Sequence, residues 1–258
     1  MKKIILILLF LSQNLISQNK HQLFVFEEIQ NELISTKLLY INLNKSLWLQ
    51  NSDTKIIESK KDESVMYKPS KNKSKYILFK NLKKSEIYHN YKLLSKVFYV
   101  KDSLSNMKWN LIDSTEVVLG YNCQIAKTKF RGREYFASFT SEIAIQNGPW
   151  KFHGLPGMIL KVVSDENDEF YKMECIEIKL HNENIESRYQ KFIEKNKFIT
   201  WEQLEKTFLR IMDNVIKKLK TSYETSDAGE STVTIKVKNR KEIISEKFQL
   251  KEGVTTDF

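Results

Sequence analysis

Cysteine is scarce in this sequence. Cys123 and Cys175 are the only two among 258 residues, too few to staple a chain of this length. Outside the cytoplasm an even count permits one disulfide between them; the alternative is two small, buried, apolar side chains. They are also too few for a metal site, since His153 is the only histidine near either in sequence, and no metal is expected. Proline (three) and glycine (seven) are rare, which excludes collagen-like and low-complexity chains. Long apolar runs are missing as well. The longest clear one, Ile4 to Leu11, is far short of the roughly 20 residues that cross a bilayer, so no transmembrane segment is expected in the mature protein. His-Glu-x-x-His, Gly-x-Ser-x-Gly and phosphate-cradling loops are absent. No cofactor is implied.

What the sequence has begins with "MKKIILILLFLSQNLISQ". Two lysines, an apolar run and a polar close with small residues are the layout of a secretory signal peptide over residues 1–18. The segment has no cysteine to receive a lipid, so the product is an exported periplasmic or extracellular protein and not a lipoprotein. Residues 19–258 then read as a single β-rich domain, long enough to bury a core. The formal charge of +10 falls to about +8 once Lys2 and Lys3 are removed. The lysines are scattered among acids, which describes a solvated surface, although a basic face for an anionic partner fits the same count. An exported chain without a recognition motif has no use for nucleic acid.

Aromatic and β-branched segments such as "KLLYINLNKSLWLQ" (37–50) and "KYILFKNLKKSEIYHNYKLLSKVFYVKD" (75–102), broken by short polar turns, predict antiparallel strands. The polar stretch 51–75 between them reads as an exposed loop, and "TVTIKVK" (232–238) as one further strand. One helix is predicted at about 200–220. Thr200 and Gln203 make a capping box, and Trp201, Leu204, Phe208, Ile211, Val215 and Leu219 form one apolar stripe. The fold class is therefore mainly β with one amphipathic helix (α+β): a curved antiparallel sheet, half-barrel-like, covered by that helix.

Five of the seven glycines and two of the three prolines fall between Gly120 and Gly157. In "GYNCQIAKTKFRGREYFASFT", a two-residue turn at Arg131-Gly132 would pair Phe130 with Arg133, Lys129 with Glu134 and Thr128 with Tyr135. In "GPWKFHGLPGMILKVV", Gly148 and Pro149 break the preceding strand and Gly154 allows close backbone approach. Pro156 and Gly157 occupy the centre of a predicted type II turn. These two blocks, with their Gly-Tyr-x-Cys, Arg-Gly-Arg-x-Tyr, Gly-Pro-Trp-Lys-Phe and Gly-Leu-Pro-Gly elements in order, resemble the GLPGLI family of exported Bacteroidota proteins over about residues 99–179. The resemblance implies export and a β-rich fold. The family has no assigned function, so it implies no catalytic residue.

Arg131, Arg133, Trp150, Phe152 and His153 form the candidate ligand-contacting set, since arginine and aromatic side chains on loops anchor recognition. For Arg131 and Arg133 the alternative is ordinary surface charge in a turn; for Trp150 and Phe152 it is filling the end of the sheet. The function expected is non-catalytic, a periplasmic or envelope carrier, binding or accessory protein for an apolar or anionic ligand. A structural protein that docks an envelope partner is the alternative. A hydrolase, which would need Ser138 or Thr140 beside His153, comes third.

Overall fold

The computed structural model describes residues 21–30, 33–56, 76–93, 96–104, 106–166 and 169–224. The leader expected over 1–18, most of the loop expected over 51–75 and the strand expected over 232–238 lie outside them. Twelve strands form one sheet: β1 (Gln22–Gln30), β2 (Leu33–Asn42), β3 (Lys45–Ile56), β4 (Ile77–Asn81), β5 (Glu86–Leu93), β6 (Lys96–Ser103), β7 (Asn110–Val118), β8 (Tyr121–Phe130), β9 (Arg133–Thr140), β10 (Met158–Glu166), β11 (Glu169–Leu180) and the short β12 (Phe198–Thr200). Two helices follow the long strands, α1 (Ile185–Lys195) and α2 (Trp201–Glu224).

The sheet order is β12-β6-β5-β4-β3-β2-β1-β11-β10-β9-β8-β7. It is two meanders joined where β1 pairs with β11, and every pair is antiparallel except β12 with β6. The expected mainly β fold, with a curved and unclosed antiparallel sheet, is the one observed. β3 runs on to Ile56 through a register shift, so the first six residues of the expected loop are strand and Thr54, Lys55 and Ile56 rejoin the ladder opposite Ser35, Ile34 and Leu33. Among the described residues no helix is long and apolar enough to cross a membrane.

Alternation along the strands gives the sheet two apolar faces. One carries the larger core, including Phe24, Phe26, Leu39, Trp48, Leu78, Ile87, Ala137 and Met173. It is covered chiefly by the chain between β9 and β10, whose Trp150, Phe152 and Leu155 are buried in the same cluster. We call it the loop face. The other carries Leu47, Leu49, Phe79 and Tyr88, and is covered by Ile185 and Tyr189 of α1. We call it the α1 face.

The helix covering differs from the expectation of one helix. α1 has its signals in the sequence, Asn184 as N-cap accepting from the Ser187 amide at 2.9 Å and Ile185, Tyr189 and Phe192 at helical spacing. α2 has its capping box: the Thr200 amide donates to Gln203 Oε1 at 2.9 Å and the Gln203 amide to Thr200 Oγ1 at 3.2 Å. Its buried Leu204 and Phe208 belong to the expected stripe, and Phe208 packs with Tyr91 and Phe98 of the sheet, near one end of the loop face. Between the helices β12 lies parallel to β6, so the chain rounds that edge from the α1 face, where Phe198 packs, to the loop face, where Trp201 emerges.

Candidate functional site

The β8–β9 hairpin takes the expected register, with Phe130 opposite Arg133, Lys129 opposite Glu134 and Thr128 opposite Tyr135. Arg131 and Gly132 both have positive φ (51° and 90°), the type I′ geometry that a two-residue hairpin prefers. Glu134 pairs diagonally with Lys127 at 3.5 Å.

The turn at Arg131 reaches across the sheet. Seven strands separate β6 from β9 in the sheet order, which would put them about 38 Å apart if the sheet were flat. Yet the Arg131 guanidinium lies 3.4 Å from the Asp102 carboxylate of β6. The sheet therefore curls until its two ends nearly meet, and this near-closure builds the candidate site. Lys151, from the covering loop, lies 3.5 Å from the same Asp102 oxygen. Trp201, the first residue of α2, completes the group: Arg131 Cζ lies 4.2 Å and Lys151 Nζ 5.0 Å from its ring centre. His89 of β5 stacks at a tilt against the same indole, with ring centres 6.1 Å apart.

His89 is 2% exposed. Burial, and secondarily the positive fields of Lys151 and Arg131, hold its pKa well below the usual histidine value, so it is neutral at pH 7. Its Nδ1 lies 3.3 Å from the Asn90 carbonyl, which can only accept, so Nδ1 carries the single proton. Nε2 then holds a lone pair, and it has no hydrogen-bond partner.

The covering loop is held with similar economy of space. Lys80 of β4 is completely buried and donates to the carbonyls of Gly148 at 2.6 Å and Phe152 at 3.2 Å. Burial drives its pKa well below the ordinary lysine value. A Cβ on Gly148 would stand 2.8 Å from that of Ile159, and one on Gly157 only 2.1 Å from the Thr140 carbonyl oxygen. The close backbone approach expected at Gly154 is thus made by Gly157, while Gly154 takes positive φ (88°), and a Cβ there would meet only Trp109 Nε1 at 3.9 Å. The expected type II turn at Pro156 and Gly157 is not formed. The Gly157 amide bonds back to Leu155 O at 2.8 Å, a tighter three-residue turn, while the Met158 amide goes to Ile143.

Of the candidate ligand-contacting residues, Arg131 is in the cluster just described. Arg133 opens β9 opposite Phe130. Trp150 is 5% exposed with its indole N–H directed at the Tyr76 hydroxyl (3.3 Å), and Phe152 is fully buried against Tyr135, with ring centres 4.9 Å apart. His153 is half-buried; its Nδ1 lies 2.9 Å from Lys151 O, and its own carbonyl accepts from Trp109 at 2.9 Å. Of the hydroxyls considered for hydrolysis, Ser138 donates to Glu116, and Thr140 Oγ1 accepts from the Glu142 amide at 3.3 Å. Cys123 and Cys175 are free and buried, and burial pushes their pKa values up to about 11 and about 12. The permitted disulfide is not formed, because β9 and β10 lie between the strands that carry them, a separation of roughly 14 Å. Among the described residues no group of three His, Cys, Asp or Glu is gathered as a metal would require.

Sequence reasoning named Trp150, Phe152 and His153 but passed over Lys151 between them, along with His89, Asp102 and the site role of Trp201. Lys151 follows Trp150, whose φ of 46° makes it the one described non-glycine residue with positive φ outside a hairpin turn, a strain that only the structure shows. His89 and Asp102 sit on the paired strands β5 and β6, where Asp102 lies opposite Ile87 and His89 opposite Val100, and only the curl brings Arg131 to them.

No family model matches the chain, and no curated protein does. Among solved structures it is similar to PNGF-II in the C2 crystal form, with a TM-score of 0.51 and 17% identity over 74% of this chain and 32% of that one. The P21 form of PNGF-II gives a TM-score of 0.48 and 15% identity over 70% and 31%. An uncharacterized conserved protein of Thermus thermophilus gives 0.38 and 9% over 73% and 98%. The chain spans about a third of the length of PNGF-II, and the likeness to it is one of fold.

Proposed function

We propose that this chain is an exported, non-catalytic binding protein of the envelope, and that it takes an anionic ligand where Arg131, Lys151, Trp201 and His89 meet. The observation that carries this reading is that two cations share one carboxylate. The Arg131 contact to Asp102, 3.4 Å, is longer than the 2.7–2.9 Å or so of an engaged charged pair. The lysine-led leader supports export, as does the GLPGLI resemblance. The loop face favours an anionic over an apolar ligand, since Trp150, Phe152 and Leu155 already fill the core there. Docking to an envelope protein is the second reading, favoured by Phe136, Phe170 and Ile176, each more than a third exposed on β9 and β11.

The test uses Asp102 as an internal competitor. Asp102→Asn keeps an oxygen for the Ser103 amide, which Oδ1 accepts at 2.8 Å, but removes the charge. Titration calorimetry with inorganic phosphate and with citrate should show binding several-fold tighter in Asp102→Asn than in the wild type. The Arg131→Ala/Lys151→Met double variant should bind neither anion. If neither anion binds to the wild type or to Asp102→Asn, the reading is wrong.

A further inference from the structure

We infer that residues 232–238, a stretch outside the described residues, add to the outer edge of β7 as a further antiparallel strand, laying Val233, Ile235 and Val237 beside Leu111 and Val117. This docking is independent of the anion-binding reading. β7 ends the sheet order, so one row of its N–H and C=O groups faces no described strand. Proteins commonly guard such an edge with lysine. This chain has 42 lysines and arginines, yet none falls within residues 109–126, where the charges are those of Asp113 and Glu116. The edge is also apolar, with Leu111 58% and Val117 67% exposed. Both stand on the loop face, because they pair with Ala126 and Asn122 of β8 and Ala126 belongs to the larger core. On the same face a cavity of about 400 Å³ opens between Thr115 of β7, Gln124, Phe139 and Pro156, with room for apolar side chains delivered from the edge.

The stretch 232–238 has the matching chemistry. Its alternation puts Val233, Ile235 and Val237 on one face and Lys236 and Lys238 on the other, so its cations meet an edge whose own charges are acidic. It also approaches from the right direction. β6 ends and β7 begins at one corner, joined by residues 104–109, where Asp102, Arg131 and Trp201 gather. Ten antiparallel steps of the sheet order separate the two strands, and about 20–25° of twist at each turns them by roughly 200–250°. β7 therefore leaves the corner toward the side from which β6 arrives. α2 starts at that corner with Trp201 against His89 and runs back along β6, with Phe208 on Tyr91 and Phe98. Its 24 residues, about 36 Å of helix, carry the chain toward the far end of β7, and the return brings 232–238 in antiparallel to that strand.

Hydrogen exchange on the full chain tests the pairing. The amides of 233–237 and those of β7 that do not bond to β8 should exchange about tenfold or more slowly in the wild type than in Ile235→Asp, while β1 and β11 are unchanged. A terminal strand frays, so this protection stays well below that of β1. Amides of 233–237 that exchange at free-chain rates in the wild type overturn the inference, as does β7 protection that survives Ile235→Asp. Protection that disappears on dilution, alongside a dimer mass in sedimentation, overturns it as well, because the strand then comes from a second copy. The wild-type exchange decides even if Ile235→Asp does not fold.

Discussion

At the scale of single residues, the buried bases His89 and Lys80 of the loop face both have their pKa values lowered. Histidines 89, 153 and 181 are all held below the ordinary histidine value, chiefly by burial. The unfolded chain therefore binds more protons than the folded one as the pH falls through about 6.5, and folding loses stability there. Lys80 is lowered too, so its contribution makes stability rise with pH, until above about pH 8 the unfolded chain's thiols ionise before the folded chain's raised ones and oppose it. Urea denaturation between about pH 5 and 8 should show stability climbing across the range. His89→Phe should flatten the acid limb and Lys80→Met the limb above neutrality. A wild-type curve flat from about pH 5 to 8 would mean that neither group is buried as described.

At the scale of elements, the two glycine-bearing segments obey different constraints. Gly132 needs only its positive φ, since nothing lies within 4 Å of an added Cβ, and Gly132→Ala should cost about 1–2 kcal/mol. Gly157 is hemmed in by the backbone of Thr140 and Ser141, which cannot swing aside as a side chain does. Gly157→Ala should cost roughly 3 kcal/mol or more, read as a clearly larger fall in Tm than for Gly132→Ala. Equal falls would show that conformation rather than space rules both. This contrast also marks what could be read from sequence. The β8–β9 register was legible because Arg131-Gly132 is a local signal flanked by strand formers, and α2 because its capping box and stripe are local as well. The role of Gly157 was not, since Thr140, whose carbonyl makes the clash, lies 17 residues away and arrives by the pairing of β9 with β10. α1 was legible in principle but sits in a charged stretch where Ile185, Tyr189 and Phe192 do not stand out.

At the scale of the whole molecule, the sheet is two meanders sharing one seam, β1 against β11. The strands near that seam are covered by neighbours on both sides, while β7 and β12 close the sheet order and have one side each without a described strand. Hydrogen exchange should rank the amides accordingly, slowest in β1, β2, β10 and β11 and fastest in β7 and β12. Protection as strong in β7 as in β1 would mean that another chain or segment covers that edge. The curved sheet was legible from composition and alternation. The site was not, because its members come from β5, β6, the β8–β9 turn, the covering loop and the start of α2, and only the curl of the sheet gathers them.

That gathering sets an order of assembly. The indole of Trp201 enters the cluster only after the chain has passed along the far face as α1 and turned the β6 edge as β12. A nascent chain can thus lay down both meanders, the Lys80-clamped loop and the Asp102 contacts before the last member of the site has been made. The scaffold can therefore be complete before the site is, and cutting the chain just before Trp201 should yield the one without the other.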